Sequence, residues 1–107
     1  MNKGMKENQI LVVIKEPEKP PRVEPLFDNQ LEAFQAAVGG YIEAVTVTTD
    51  LVIICNEEGR LKRLPWNCTV FGADFVGTVV VAGVKEDEFA SIRAKYVPTV
   101  LRMLGGC

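Results

Sequence analysis

The chain has 107 residues, of which 48% are hydrophobic and 24% charged, and its 12 basic and 14 acidic residues give a net charge of −2. This length predicts one domain, and this composition excludes a chain that is disordered throughout. The small net charge argues against a strongly basic nucleic-acid protein, a polybasic membrane binder and a densely acidic DNA mimic.

The first part of the chain predicts a strand followed by a stiff connector. Residues 1–8 are polar and predict a flexible leader, which leaves residues 9–107 as the single domain. Residues 9–15 contain a short β-branched run that is apolar on both faces, as in a central strand. Four prolines in the next ten residues, EPEKPPRVEP, exclude a helix and leave residues 22–26 as an edge strand.

Residues 28–38 predict a helix, because apolar residues recur along one face at helical spacing. Asp28 or Asn29 has the side chain of an N-cap, and Gly39-Gly40 ends the helix. Two β-rich runs follow at residues 41–47 and 51–55, and the short link between them predicts an antiparallel hairpin.

The remaining elements complete an α+β fold. Residues 60–64 predict a short strand whose leucines, Leu61 and Leu64, face apolar neighbours. Residues 76–84 are apolar on both faces and predict a central strand. Residues 85–104 predict a C-terminal helix, kinked or split at Pro98. The prediction is a mainly antiparallel sheet of four to five strands, packed on one side by the central helix and the C-terminal helix.

The stretch CNEEGRLKRLPWNC, residues 55–68, concentrates the residues that could carry chemistry. Cys55 and Cys68 bracket it, and the third cysteine, Cys107, is in the tail. Three cysteines with no histidine supply too few ligands for a structural zinc site, so we predict reduced thiols and no metal. Glu57, Glu58 and Asp74 could hold a magnesium or calcium ion weakly, but acidic turns are usually only solvated.

The sequence predicts no catalytic residue. The chain has no histidine, which removes the usual general base and the Ser-His and Cys-His nucleophiles. Adjacent Glu57 and Glu58 would face opposite ways on a strand. No glycine-rich phosphate loop follows a strand, so we predict no cofactor.

Two binding hypotheses stay open. Tyr41, Asn56, Trp66 and Asn67 are polar and aromatic groups that make good contacts with a protein or small-molecule partner when they are partly exposed. Each also has a structural interpretation, as a strand residue, a turn residue or a loop anchor.

The alternative is a weak nucleic-acid-binding module built on the hairpin at residues 60–66. Arg60, Lys62, Arg63 and Trp66 combine charge with a stacking surface, which is the chemistry of single-strand binding. The net acidic charge of the chain disfavours this interpretation, and a charged outer face on an edge strand explains the same residues.

The sequence also predicts where the protein works. The polar N-terminus runs into only five apolar residues, ILVVI, and no later run reaches 18 apolar residues. We therefore predict a cytoplasmic protein with no membrane contact. The edges of the sheet and the high apolar fraction suggest a homo-oligomer as a hypothesis.

Three segments resemble one family. LEAFQAAVGGYIEAV, DLVIICNEEGRLKRLPWN and VGTVVVAG together are similar to the domain-of-unknown-function family 3846, over about residues 9–84. Trp66 stands at a variable position of that pattern, and the tail VPTVLRMLGGC is outside it. The resemblance implies a small α+β domain encoded by bacteria and often by phages and other mobile elements, and it implies no activity.

The predicted function is a non-enzymatic binding or accessory protein of a bacterial, phage or plasmid genome. The nucleic-acid-binding module is the alternative, and a small enzyme is the third interpretation.

Overall fold

The computed structural model describes residues 9–26 and 30–106, where the backbone forms strands, two α-helices and a 3₁₀ turn. The strands are β1 (Ile10–Lys15), β2 (Arg22–Leu26), β3 (Ile42–Thr48), β4 (Leu51–Asn56), β5 (Trp66–Val70), β6 (Ala73–Val76), β7 (Val79–Lys85) and β8 (Glu88–Ala90). The helices are α1 (Gln30–Val38) and α2 (Val97–Gly105), and the 3₁₀ turn (Ala94–Tyr96) leads into α2. The predicted leader, the capping residues Asp28 and Asn29, and Cys107 lie outside the described residues.

The strands form one antiparallel sheet and a separate hairpin. β2, β1, β7, β4 and β3 lie side by side in that order, and β8 pairs with the end of β7. β5 and β6 pair only with each other. The predicted α+β fold with an antiparallel sheet is confirmed. The main sheet has six strands instead of four to five, because β8 comes from a segment that was predicted to be helical.

The sheet separates two hydrophobic cores. Phe34 and Val38 of α1 pack on one face, and Val100 and Leu104 of α2 pack on the other, where the β5–β6 hairpin joins them. The two helices therefore lie on opposite faces, and the prediction that both pack on one side is wrong. The reason is that β4 is buried along its whole length, and a central strand that is apolar on both faces needs cover on both.

Residues 60–64 do not form the predicted strand. They belong to consecutive turns in which the Lys62 amide donates to the Glu58 carbonyl at 2.9 Å and the Leu64 amide donates to the Gly59 carbonyl at 3.0 Å. Leu61 is 84% exposed instead of facing apolar neighbours, whereas Leu64 lies against Gly77. These bonds within the segment use the backbone groups that a strand would offer to a neighbour.

The predicted central strand at 76–84 is confirmed as β7, but it begins later. Val76 instead ends β6 in the hairpin, and β7 begins at Val79 in the main sheet. Gly77 between them has a φ of +72°, and its amide donates to the Pro65 carbonyl at 2.7 Å. Because glycine adopts a positive φ without a steric penalty, the chain turns here from one sheet to the other.

The predicted C-terminal helix is shorter than residues 85–104. Glu86 and Asp87, both with positive φ, connect β7 to β8, and α2 begins only at Val97. Pro98 lies in the first turn of α2, where a missing amide hydrogen removes no helical hydrogen bond. It therefore starts the helix, and the predicted kink or split is wrong.

Candidate functional site

Asn56 is buried at the end of β4, where its side chain bonds to two backbone groups. Its Nδ2 donates to the Val38 carbonyl at the end of α1 at 3.1 Å, and its Oδ1 accepts the Glu58 amide hydrogen at 2.8 Å. This amide therefore joins helix α1 to the turn after β4. The side-chain amide of Asn56 is therefore bonded to the protein's own backbone instead of to a partner.

Asn67 is also buried, at 1% exposure, and it connects the β5–β6 hairpin to the main sheet. Its Oδ1 accepts from Lys15 Nζ at 2.9 Å, while its Nδ2 donates to the carbonyls of Lys15 at 2.8 Å and Gly77 at 2.7 Å. The buried ammonium of Lys15 also donates to the Glu16 carbonyl at 3.3 Å. These bonds explain why an asparagine follows the LPW segment.

The two aromatic residues of the predicted contact set lie at the surface. Tyr41 is 67% exposed, and its carbonyl accepts the Glu57 amide hydrogen at 2.8 Å. Trp66 is 52% exposed on the outer face of the hairpin, and its Nε1 donates to Asp74 Oδ1 at 3.3 Å. Of the four predicted residues, the structure therefore exposes the aromatic pair and buries the asparagines.

The predicted nucleic-acid residues divide into two groups. Arg60 and Trp66 both contact Asp74, since Arg60 Nη2 donates to the Asp74 carbonyl at 2.7 Å. Lys62 instead lies 3.7 Å from the Glu58 carboxylate, and a Cβ placed on Gly40 would be 3.3 Å from its ammonium nitrogen.

Arg63 is exposed and has a φ of +55°. Only Arg60 and Trp66 of the four are therefore joined through a common residue.

A groove lies between β3 and the β5–β6 hairpin, and we call it the β3–β6 groove. Its volume is about 250 Å³. Val45 and Phe75 are among its apolar lining residues, Asp74 belongs to the hairpin, and Arg60 and Leu61 belong to the turns that follow β4. The full lining is Glu43, Val45, Cys55, Asn56, Glu57, Gly59, Arg60, Leu61, Ala73, Asp74, Phe75 and Val76.

Two groups that line the groove, Cys55 and Asp74, have shifted pKa values with clear causes. Burial, with a contribution from Glu43, raises the pKa of the Cys55 thiol to about 11. Hydrogen bonds from the Thr69 hydroxyl and the Trp66 indole lower the pKa of Asp74. At neutral pH the thiol is therefore protonated and Asp74 is a carboxylate, so neither is suited to nucleophilic or general-acid chemistry.

The cysteines and acids do not assemble a metal centre in the part of the chain that the structure describes. Across residues 9–26 and 30–106, no three cysteine, aspartate or glutamate side chains gather closely enough to hold an ion. Cys55 and Cys68 are buried and are not joined in a disulfide. Of the three acids, Glu57 and Asp74 line the groove and Glu58 pairs with Lys62.

A second cavity, of about 770 Å³, contains none of the predicted site residues. It lies where β4 begins and β7 ends, beside Lys85 and Ser91. Asp50 lines it and receives hydrogen bonds from Arg93 at 3.3 Å and Tyr96 at 3.2 Å. Bonds to Thr48 and these two residues lower the pKa of Asp50. No local pattern in the sequence signals these contacts, because they join residues more than 40 positions apart.

None of the helices in the described ranges is long and apolar enough to cross a membrane.

Comparison with known proteins identifies a family for this chain. A search of curated proteins and a search of solved structures found no significant match. The sequence model of the family "Domain of unknown function (DUF3846)" matches residues 7–105, which includes residues 97–105 of the C-terminal tail that the three segments left out. Because this match covers nearly the whole chain, the protein belongs to the DUF3846 family.

Proposed function

We propose that the protein is a non-enzymatic binding protein that captures a protein segment in the β3–β6 groove. The observation that carries the proposal is a groove whose lining combines apolar side chains with charged ones. Val45, which is partly buried, and Leu61, which is 84% exposed, line it together with the buried Phe75. Partly exposed apolar groups that surround a small pocket are typical of protein contact sites.

The size of the groove supports a side chain as its occupant. Sites for drug-sized ligands and cofactors usually measure about 300–1,000 Å³. The β3–β6 groove, at about 250 Å³, is below that range. One or two side chains of a partner fit this volume better than a nucleotide or a flavin does.

The charges around the groove indicate the chemistry of that partner. The lining contains the carboxylates of Glu43, Glu57 and Asp74 and a single guanidinium, that of Arg60. Arg60 already donates to a backbone carbonyl. A segment with an apolar side chain flanked by lysine or arginine therefore complements both the apolar and the acidic residues of the lining.

The groove chemistry also supports a non-enzymatic role. The raised pKa of Cys55 keeps its thiol protonated, and the lowered pKa of Asp74 keeps its carboxylate ionised near neutral pH. The chain contains no histidine to complete an acid–base pair with them.

The setting is part of the proposal. The family resemblance supports an accessory role for a bacterial, phage or plasmid genome. Cys55 and Cys68, which are buried and not joined in a disulfide, suit a reducing cytoplasm.

Nucleic-acid contact is the second candidate. In its favour, the half-exposed Trp66 ring and the Arg60 guanidinium are both held by Asp74. Against it, three carboxylates line the adjacent groove, and Lys62 pairs with Glu58. These carboxylates repel a phosphate backbone.

A peptide selection tests the proposal. We expect a displayed library of random peptides to yield binders with an apolar residue next to lysine or arginine. Leu61→Lys should weaken the binding of the best synthetic peptide by about tenfold or more. It removes an apolar contact and adds a positive charge that repels the lysine or arginine of the peptide. Fluorescence anisotropy with a labelled peptide gives the Kd.

Leu31→Lys is the matched control, because Leu31 is 53% exposed on α1, which covers the opposite face of the sheet. The proposal fails if no peptide is enriched, or if both variants weaken binding equally. Salt-sensitive binding of single-stranded oligonucleotides that Trp66→Ala abolishes would instead support the second candidate.

A further inference from the structure

The two edges of the main sheet differ in how they are protected from pairing. The β2 edge contains Pro25, and Arg22 lies 3.1 Å from the Glu16 carboxylate and 2.6 Å from that of Glu24. Proline and charged side chains are the usual means by which an edge strand avoids pairing with another chain. The β2 edge is therefore closed to strand addition.

The opposite edge, β3, has little of this protection. Its sequence is IEAVTVT, which contains no proline and a single charge, Glu43. Among the described residues, β4 is the only strand beside it. The register with β4 is regular from Ile42 to Thr46 and shifts between Thr46 and Thr48. Five residues, three of them β-branched, thus form a regular edge that is open to pairing.

The hydrogen bonds to β4 identify which backbone groups of β3 point outward. The Tyr41 carbonyl accepts the Glu57 amide hydrogen, and the Glu43 carbonyl lies 3.7 Å from the Cys55 thiol that donates to it. Both carbonyls therefore point towards β4. Because backbone direction alternates along an antiparallel strand, the amides and carbonyls of Ile42, Ala44 and Thr46 point away from it.

We propose that a second copy of this chain occupies the β3 edge, with the two β3 strands antiparallel about a two-fold axis at Ala44. This register pairs Ala44 with Ala44 and Ile42 with Thr46, so every outward group of the regular segment is bonded. Glu43 then lies opposite the partner's Val45. The strand is self-complementary, since its single charge meets an apolar residue and never its own copy.

The proposed pairing has a consequence for the β3–β6 groove. Directly opposed residues in an antiparallel pair point to the same face, so the two-fold axis is perpendicular to the sheet. The hairpins of both copies then lie on one face, and the groove of each copy opens towards the other across the paired strands. The inference rests on the β3 edge and not on the proposed function, but it would make any groove binding bivalent.

Sedimentation equilibrium of the full chain tests the pairing. We expect a mass that approaches twice the 11.8 kDa of one chain as the concentration rises. Ala44→Lys should return the mass to that of one chain, because two lysines would meet at the axis. Val23→Lys, on the protected β2 edge, should leave the mass doubled. A single-chain mass at every soluble concentration would overturn the proposal.

A disulfide test fixes the register with a milder substitution. In a Cys107→Ser background, Ala44→Cys should form a covalent dimer on mild oxidation. Directly paired residues have Cα atoms about 5.5 Å apart, within the range that a disulfide spans. Thr46→Cys should not crosslink, since its opposite residue is Ile42. A dimer that Ala44→Cys does not crosslink, or that Thr46→Cys crosslinks equally well, would contradict the register. The peptide assay of the proposed function is independent, because monomeric Ala44→Lys retains the groove.

Discussion

Lys15 and Asn67 exchange two hydrogen bonds across 52 positions of sequence. The Lys15 ammonium donates to Asn67 Oδ1 at 2.9 Å, and Asn67 Nδ2 donates back to the Lys15 carbonyl at 2.8 Å. Both side chains are buried. The pair fastens the β5–β6 hairpin to the central strand β1, and so it positions one wall of the candidate groove.

Asn67→Ala should lower the free energy of unfolding by about 3 kcal/mol, because it leaves the buried Lys15 ammonium with only the Glu16 carbonyl and removes the amide that bonds two buried carbonyls. Urea denaturation followed by circular dichroism measures the loss. In the Asn67→Ala background, Lys15→Met should cost less than it does in the wild type, with a coupling energy of about 1 kcal/mol or more. Additive effects of the two substitutions would show that the exchange contributes little.

A pair of glycine substitutions separates steric from conformational cost. A Cβ on Gly83 would lie 2.4 Å from the Ser91 carbonyl oxygen, so Gly83→Ala must push β8 and the following segment away from β7. We expect a loss of about 3 kcal/mol. Gly72 has a φ of +81°, but a Cβ added there would have nothing within 4 Å. Gly72→Ala should therefore lower the free energy of unfolding by only about 1 kcal/mol. Equal losses in the two urea titrations would contradict the close approach at Gly83.

The Cys55 thiol should react slowly and should link stability to alkaline pH. Since its pKa is about 11, alkylation of the folded protein at pH 8 should be on the order of a hundredfold slower than that of an exposed thiol. The unfolded thiol ionises near its ordinary pKa of 9.0 and the folded thiol only near 11. The stability contribution is therefore complete below pH 9 and is lost as the pH rises towards 11.

Two measurements check this prediction, both in a Cys107→Ser background. Mass spectrometry after timed iodoacetamide treatment gives the alkylation rate, and urea titrations from pH 8 to 11 give the stability. Cys55→Ala is the control for the second, and it should flatten the decline. Rapid labelling of folded Cys55 at pH 8 would contradict the burial of the thiol.

Trp66 fluorescence should report the ionisation of Asp74. Trp66 is the one tryptophan of the chain, and its indole donates to the Asp74 carboxylate. Because bonds from Thr69 and Trp66 lower the pKa of Asp74, the emission should stay constant down to about pH 4 and change only below the ordinary value of 3.8. The carboxylate's contribution to stability is present above that value and is lost as the pH falls.

A fluorescence titration with circular dichroism as a check for unfolding measures the midpoint. Asp74→Asn should remove the transition. It should also raise acrylamide quenching of Trp66, since the indole loses its charged partner. A midpoint above 4, or an unchanged transition in Asp74→Asn, would show that another group controls the tryptophan.

Part of the candidate site could be predicted from the sequence, and the rest could not, for a physical reason. Arg60 and Trp66 were predicted to belong to one nucleic-acid-binding hairpin, and both contact Asp74. Asn56 and Asn67 were predicted to contact a partner from partly exposed positions, but they bond to backbone groups in the interior. An asparagine near the end of a strand has the same local sequence whether it is exposed or buried, so its burial depends on what the fold packs against it.

The groove itself could not be predicted. Glu43 and Leu61 line it, although they belong to different segments with ordinary strand and turn patterns. Leu61 was expected to be covered, and its high exposure follows from turns that replace the predicted strand at residues 60–64. Local propensity for a strand is weak wherever backbone bonds within the segment compete with it.

The sequence by itself determined the elements that depend on neighbouring residues: the central strand β1, the β3–β4 hairpin, the helix α1 and its glycine end. Periodicity and turn chemistry are properties of adjacent positions, so they can be recognised without the fold. Only the tertiary structure decided that α1 and α2 cover opposite faces, that Asn67 meets Lys15, and that β3 is the open edge. These relationships join distant segments, and their energies exist only when the whole chain has packed.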